Sequence, residues 1–486
     1  MRFYRKKELI SYLQEMKCKQ QKLLVLQEKY QEILYDLQEC AIIIGEEVET
    51  EKTTHSKTIV KKLEDYCEMI YQISLLEGQA ILQKHVDKLD CMISQIVQKM
   101  REMSTDKIRI AFFPYKASMW DCMDSVWKCA IKDERCVVEV IPIPFFERNN
   151  GKNEAVECYE GDLFPQYVKV RHYSTYNLSQ EHPDIAYIHN PYDQCNRVTM
   201  VHPYFFSKEI KKNCDKLIYI PYYIAGIYTS EQKVCEMTEL PGFYNSSYVI
   251  VQTEEYKKIL KNNGREADKC IVAGSPKFDA VLTNKETLKL DYYADTLKDM
   301  KIFLLNTSIS GFLKNKDWFT IMDEIVESFN KDTQSFLIWR PHPLLEATVN
   351  ALRIAEREQY AKIKIKIQNM ENAIIDYSAN PLKAIKTADA LISDYSSLVP
   401  QYYVTEKPIL CLNGKKEYRE KYICIFDHYD CYFYNDGLSI ENFIKMVQES
   451  NDPAKQVRRL YIKKMQFKKN AGKIVHESVM RKLKED

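Results

Sequence analysis

Residues 388–410 read ADALISDYSSLVPQYYVTEKPIL, and this stretch decides the fold. Ala390, Leu391 and Ile392 form a short apolar run, as a strand covered on both faces requires. Ser393-Asp394-Tyr395-Ser396-Ser397 follows where that strand would end. Leu398, Tyr402 and Tyr403 then recur at helical spacing, and Pro408 opens a further strand. Strand, polar turn, helix and strand make the repeating unit of a doubly wound α/β sheet, whose ligands bind beyond the carboxyl ends of the strands. A Ser-rich turn that opens a helix offers hydroxyls and unbonded N–H groups to an anion. It serves equally well as a plain helix cap.

The flanking chain repeats this grammar. IFLLNTS (302–308) is a strand ending in Asn306-Thr307-Ser308, and FLIWRPHP (336–343) is one ending in Arg340-Pro341-His342-Pro343. IKIKIQ (363–368) and AIIDYS (373–378) read as short strands. Further upstream, IRIAFFPYKA (108–117), a helix through Trp120, Val126 and Trp127, and CVVEVIPIPFF (136–146) make a βαβ opening. DIAYIHNPYD (184–193) ends in His189, Asn190 and Asp193, and His202 lies one short loop later. LIYIPYY (217–223) and SYVIVQT (247–253) are further strands. CIVAGSPKFD (270–279) gives a strand, a Gly-Ser-Pro turn and a helix start. The expected architecture is α/β, with two Rossmann-like domains at 105–285 and 286–486, the second ending in C-terminal helices that pack back over the cleft.

Residues 1–104 are of another kind. Leu9, Leu13, Met16, Leu23, Leu26, Tyr30, Ile33 and Leu37 recur at spacings of three and four, and Ile59, Leu63, Tyr66, Ile70, Leu89, Ile93 and Met100 repeat the pattern. The break falls between Gly45 and Ser56. This predicts a long α-helical hairpin or coiled coil with arms of about 60 Å. No catalytic constellation lies in it, so oligomerisation, partner docking or simple packing is its expected role.

Composition narrows the function. Lys and Arg number 70 against 69 Asp and Glu, which argues against bulk nucleic-acid binding. No run of 18 apolar residues and no secretory leader is present, so membrane contact is expected to be peripheral. The 15 cysteines include no CxxC pair and read as reduced, mostly buried thiols of a cytoplasmic protein. With 12 glycines and no GxGxxG, Walker loop or DxD, nicotinamide enzymes, P-loop kinases and the common metal-carboxylate sugar transferases are disfavoured, and no metal or tightly bound cofactor is expected.

Arg340 can hold a phosphate bidentately, and His342 can donate to a phosphate oxygen or move a proton. Neighbouring strands would bring this Arg/His strand end and the Ser-rich turn to one cleft suited to a pyrophosphate.

WRPHP followed by LISDYSSLVPQYYVTEKPIL resembles the CDP-glycerol:poly(glycerophosphate) glycerophosphotransferase family of teichoic-acid enzymes. AGSPKFD (273–279) is similar to the family's interdomain G-x-P-R/K-x-D turn, and NAGKIVHE (470–477) weakly resembles its C-terminal segment. The resemblance implies a GT-B-type fold whose second domain holds CDP-glycerol. It implies that Arg340, His342, Ser396 and Ser397, with Thr307 and Ser308, contact the donor phosphates, and that Asp394 holds the turn. Glycerol phosphate would pass to a hydroxyl of a lipid-linked or polymeric acceptor at the inner face of the cell membrane, releasing CMP. The family's Trp-His-Gly strand is replaced here by Tyr219-Ile220-Pro221-Tyr222-Tyr223, which leaves His189 and His202, beside His342, as candidate catalytic histidines. Two alternatives stand: a GT-B transferase of another activated sugar or polyol, and a degenerate, non-catalytic scaffold presented by its helical hairpin.

Overall fold

A computed structural model describes residues 1–25, 29–76, 83–148, 155–196, 199–224, 231–282, 297, 299–378, 380–394, 396–413, 431–434, 438–464 and 470–485. Leu26, the domain boundary expected near residue 285 and Tyr395 lie outside these residues. The chain divides into two compact units, one of residues 1–109 with 134–137, the other of 110–133 with 138–486.

Among its described residues the first unit holds four α-helices: α1 (Phe3–Gln20), α2 (Tyr30–Glu49), α3 (Thr54–Ser74) and α4 (Gln83–Glu102). Each buries one stripe, such as Leu9, Leu13 and Met16 on α1 or Ile59, Leu63, Tyr66, Ile70 and Ile73 on α3. Cross-links fix antiparallel neighbours: Arg5 Nε donates to Glu47 at 2.7 Å, Gln31 Nε2 to the Ser74 carbonyl at 3.1 Å, Lys62 Nζ to Gln95 at 2.8 Å and Lys17 Nζ to Ser94 at 3.1 Å. The expected pair of long arms is therefore corrected. Each arm stops near its middle, after Gln20 and after Ser74, and doubles back into an up-and-down bundle with helices about 30 Å long. Four short helices close an apolar core on every side, which two extended arms would leave half exposed. Polar groups inside it are satisfied, because Tyr66 Oη donates to Gln20 Oε1 at 2.6 Å and Gln20 Nε2 to Asp90 at 2.6 Å. The turn before α3 forms as its residues dictate, with Thr53 and Ser56 in a reciprocal capping box.

Among the described residues fifteen strands form three sheets: β1 (Ile108–Phe113), β2 (Cys136–Val140), β3 (Phe145–Arg148), β4 (Ala155–Cys158), β5 (Ile185–Ile188), β6 (Thr199–Val201), β7 (Lys216–Tyr219), β8 (Tyr248–Val251), β9 (Cys270–Val272), β10 (Lys301–Thr307), β11 (Ser335–Pro341), β12 (Ala373–Ile375), β13 (Ala390–Ser393), β14 (Ile409–Cys411) and β15 (Tyr432–Phe433). One sheet has the order β2-β1-β5-β7-β8-β9, and its pairs from β1 to β9 are parallel. A second, wholly parallel, has the order β12-β11-β10-β13-β14-β15. Counted from β10, that is the doubly wound order 3-2-1-4-5-6, with its switch point between β10 and β13. A small antiparallel sheet, β4-β3-β6, completes the set.

IKIKIQ is not a strand. It ends the helix Arg357–Gln368, where Tyr360, Ile363 and Ile367 face inward at helical spacing while Ile365 stays exposed. Among the described residues no helix is long and apolar enough to cross a membrane.

Candidate functional site

The switch point of the second sheet gathers most of the polar residues singled out above. Register places Asn306 beside Arg340 on one side and Ser393 on the other. Asn306 Nδ2 donates to Ser393 Oγ at 3.0 Å and to Ser396 Oγ at 2.9 Å, tying the end of β10 to the Ser-rich turn. Asp394 accepts the Ser308 N–H with both carboxylate oxygens, at 3.0 and 2.9 Å, and is buried. Its carboxylate thereby ties the Ser-rich turn to the chain just beyond β10. Ser396 Oγ also accepts from the Leu398 N–H at 3.2 Å, and Ser397 is exposed at the start of the helix Leu398–Tyr403.

Gly311 permits this closeness. A Cβ there would stand 1.8 Å from Asp394 Oδ2, so any side chain would drive the β10 and β13 turns apart. Ser308 caps the helix Ile309–Lys314 by accepting the Gly311 N–H at 2.9 Å.

His342 is exposed at the rim. Its N–H donates to the Thr307 carbonyl at 2.9 Å, and its Nδ1 accepts the Leu344 N–H at 3.2 Å. The neutral ring therefore carries its proton on Nε2, as a donor. Desolvation lowers its pKa from the ordinary imidazole value, which favours that neutral form.

Three expected phosphate ligands are otherwise engaged. Arg340 is buried, and its guanidinium grips the loop after β12: Nη1 donates to Asp376 at 2.5 Å and to Ser378 Oγ at 3.0 Å, and Nη2 to the Ser378 carbonyl. Thr307 is fully buried, its hydroxyl accepting from Trp339 Nε1 at 3.1 Å. Ser308 has its N–H on Asp394 and its hydroxyl on the cap. Alternation along β10 explains the split, because Asn306 and Thr307 point to opposite faces.

The first sheet corrects the expectation for His189. That residue has no exposed surface; Nε2 accepts the Tyr115 N–H at 2.9 Å, and Nδ1 meets Cys122 Sγ at 3.5 Å. Burial, with Lys277 nearby, pushes its pKa down to about 3. It is a neutral strut between the ends of β1 and β5, with no path to a substrate proton. His202 is half-buried, stacks on Phe146 and accepts the Tyr204 N–H on Nδ1 at 3.3 Å. The structure does not bring either residue into hydrogen-bonded contact with the Ser-rich turn.

The two sheets meet through groups the sequence did not single out. Asp121, in the loop after β1, accepts from Lys277 Nζ at 2.6 Å and from Gln401 Nε2 at 3.0 Å. Gln401 lies on the helix that leaves Ser396-Ser397. Asp279 accepts the Asn470, Ala471 and Gly472 N–H groups at 2.9, 3.1 and 2.7 Å. It thereby caps the helix Ala471–Glu485, which lies against the helix Asp124–Ala130 of the first sheet rather than over the cleft.

Comparison with known proteins follows this geometry. The sequence pattern of the family described as CDP-Glycerol:Poly(glycerophosphate) glycerophosphotransferase matches residues 226–481, more than half of the chain. Curated proteins give no match. Among solved structures, a putative UDP-N-acetylglucosamine 2-epimerase from Listeria monocytogenes has 14% identity and a TM-score of 0.51, covering 78% of this chain and 98% of its own. Another UDP-N-acetylglucosamine 2-epimerase has 12% identity and a TM-score of 0.50, covering 78% and 96%. The wall teichoic acid polymerase TagF has 13% identity and a TM-score of 0.46, covering 88% and 98%. The epimerase likeness shows a shared fold of two Rossmann-like sheets and nothing of activity.

Proposed function

The chain belongs to the CDP-glycerol:poly(glycerophosphate) glycerophosphotransferase family, and from that premise we propose that it moves glycerol phosphate from CDP-glycerol to a hydroxyl of a teichoic-acid-like acceptor, releasing CMP. The observation that supports the site assignment is the Asn306–Ser396 link, which ties the Ser-rich turn to the end of β10, the strand whose Thr307 carbonyl receives the His342 backbone N–H. His342, Ser396 and Ser397 are the proposed contacts to the donor pyrophosphate. Arg340 is a positioning residue that stiffens the rim through Asp376, and Thr307 and Ser308 support the strand end behind it.

Phosphoryl transfer of this kind depends mainly on alignment and charge stabilisation rather than on covalent chemistry. The acceptor oxygen attacks the glycerol-bearing phosphorus, the bond to the bridging oxygen breaks, and CMP leaves with that oxygen. A donor hydrogen bond from His342 to a non-bridging or leaving oxygen is strongest as negative charge gathers there. The acceptor proton is lost late in a loose transition state, which suits a site whose His189 is buried.

The test is CMP release from CDP-glycerol with a glycerol phosphate acceptor. His342→Ala is expected to lower kcat about 10²- to 10³-fold, as loss of one transition-state donor does, and His342→Gln to recover part of it. Equal activity of wild type and His342→Ala would overturn the assignment. A lipid-linked acceptor would place the enzyme at a membrane surface, and vesicle co-sedimentation tests that placement.

A further inference from the structure

Gln252 is 2% exposed, yet among the described residues neither its amide oxygen nor its amide nitrogen has a hydrogen-bond partner. Leaving a buried polar group unsatisfied is costly, so an orphaned primary amide is an unusual thing for a strand end to keep. Gln252 follows directly on β8 and lines a small pocket of about 10 Å³ with Pro221, Tyr223, Ile250, Gly274, Ser275 and Pro276. That volume is about the room of one water or one hydroxyl group. The walls come from the carboxyl ends of β7, β8 and β9, the side on which α/β sheets bind ligands. Gly274, at φ +84°, makes the turn that carries Ser275 to the pocket.

The pocket borders the donor side of the molecule. Ser275 leads straight into the helix Pro276–Leu282, whose Lys277 shares Asp121 with Gln401. Ile224, next to Tyr223, and Phe278 belong to the same apolar cluster as Leu398 and Val399, the residues just beyond Ser396-Ser397.

We propose that Gln252 is the anchor of an acceptor subsite, whose amide receives one hydroxyl of the polyol chain that is to be extended. A hydroxyl donates and accepts, so it can complement either end of the amide, and Tyr223 and Ser275 line the same opening. The group seated in the pocket is a neutral hydroxyl and not one of the chain's phosphates, because no cation lines the pocket among the described residues. The identity of the ligand as a glycerol phosphate chain rests on the proposed glycerophosphotransferase activity; the pocket and its orphaned amide do not.

The experiment follows the melting midpoint of the full chain with synthetic tri(glycerol phosphate) or with CDP-glycerol, for wild type, Gln252→Leu and the volume-preserving Gln252→Glu. The trimer is expected to raise the wild-type midpoint and to leave both variants unmoved, while CDP-glycerol raises all three alike. In turnover, the acceptor KM of Gln252→Leu rises at least tenfold with the donor KM unchanged. A wild-type protein that ignores the trimer, or variants that answer it as wild type does, overturns the subsite. A drop in the ligand-free midpoint of Gln252→Leu with the trimer response intact assigns the amide to an ordered water only, which also overturns it. Failure of CDP-glycerol alone to shift wild type counts against the donor reading, and the trimer arm still decides this one.

Discussion

His189 shows how little a residue's type says about its task. It ends a strand on the side where α/β sheets bind ligands, but its place there is to receive the Tyr115 N–H. Its folded pKa lies near 3, against an ordinary value of 6.5. Between those values the unfolded chain binds the proton and the folded chain does not, so stability is lost as pH falls from about 6.5 toward 3. The slope is on the order of 1.4 kcal/mol per pH unit. Urea denaturation at a series of pH values should show that slope, and His189→Gln should flatten it. At this scale the sequence was half legible. Ser396 and Asp394 declared themselves because a polar run interrupts an apolar one, whereas Thr307 and Arg340 differ from true rim residues only in which neighbour claims them.

Elements were legible where their period was unambiguous. The apolar runs of β10, β11 and β13 all lie where their sequences put them. IKIKIQ failed because strict alternation also fits a helix that needs only Tyr360, Ile363 and Ile367 for its buried face. The meeting of the β10 and β13 turns invites a double-mutant cycle. Gly311→Ala should cost roughly 1–3 kcal/mol by overpacking against Asp394, and Asp394→Ala a similar amount by orphaning the Ser308 N–H. The pair should be clearly less than additive in denaturant midpoints, because removing the carboxylate removes the clash. Additive losses would mean that the two turns do not touch.

Across the whole molecule, the junction of the two sheets depends on contacts between residues far apart in the chain, which no local pattern announces. Asp121, whose side chain is 2% exposed, holds Lys277 and Gln401 at once. Asp121→Ala should cost roughly 1–3 kcal/mol by removing the acceptor of half-buried Lys277 and of the buried Gln401 amide. It should also weaken CDP-glycerol binding, since Gln401 steadies the helix that presents Ser396 and Ser397; calorimetric titration with the nucleotide checks this. AGSPKFD could be recognised as a turn, but nothing in it discloses that Asp279 reaches to Asn470, 191 residues away.

The helix Ala471–Glu485 has a consequence for how the protein is made. Gly472 fits so tightly against Ser125 that a Cβ would lie 2.4 Å from the serine hydroxyl, and His476 Nε2 meets Asp133 at 2.9 Å across 343 residues of sequence. A ribosome adding 5–20 residues per second emits the helix Asp124–Ala130 roughly 20 to 70 seconds before its cover. For that interval the face of the helix Asp124–Ala130 around Ser125 lacks its cover. Chaperone occupancy on newly made chains should therefore persist until the segment around residue 480 is free to dock, then fall.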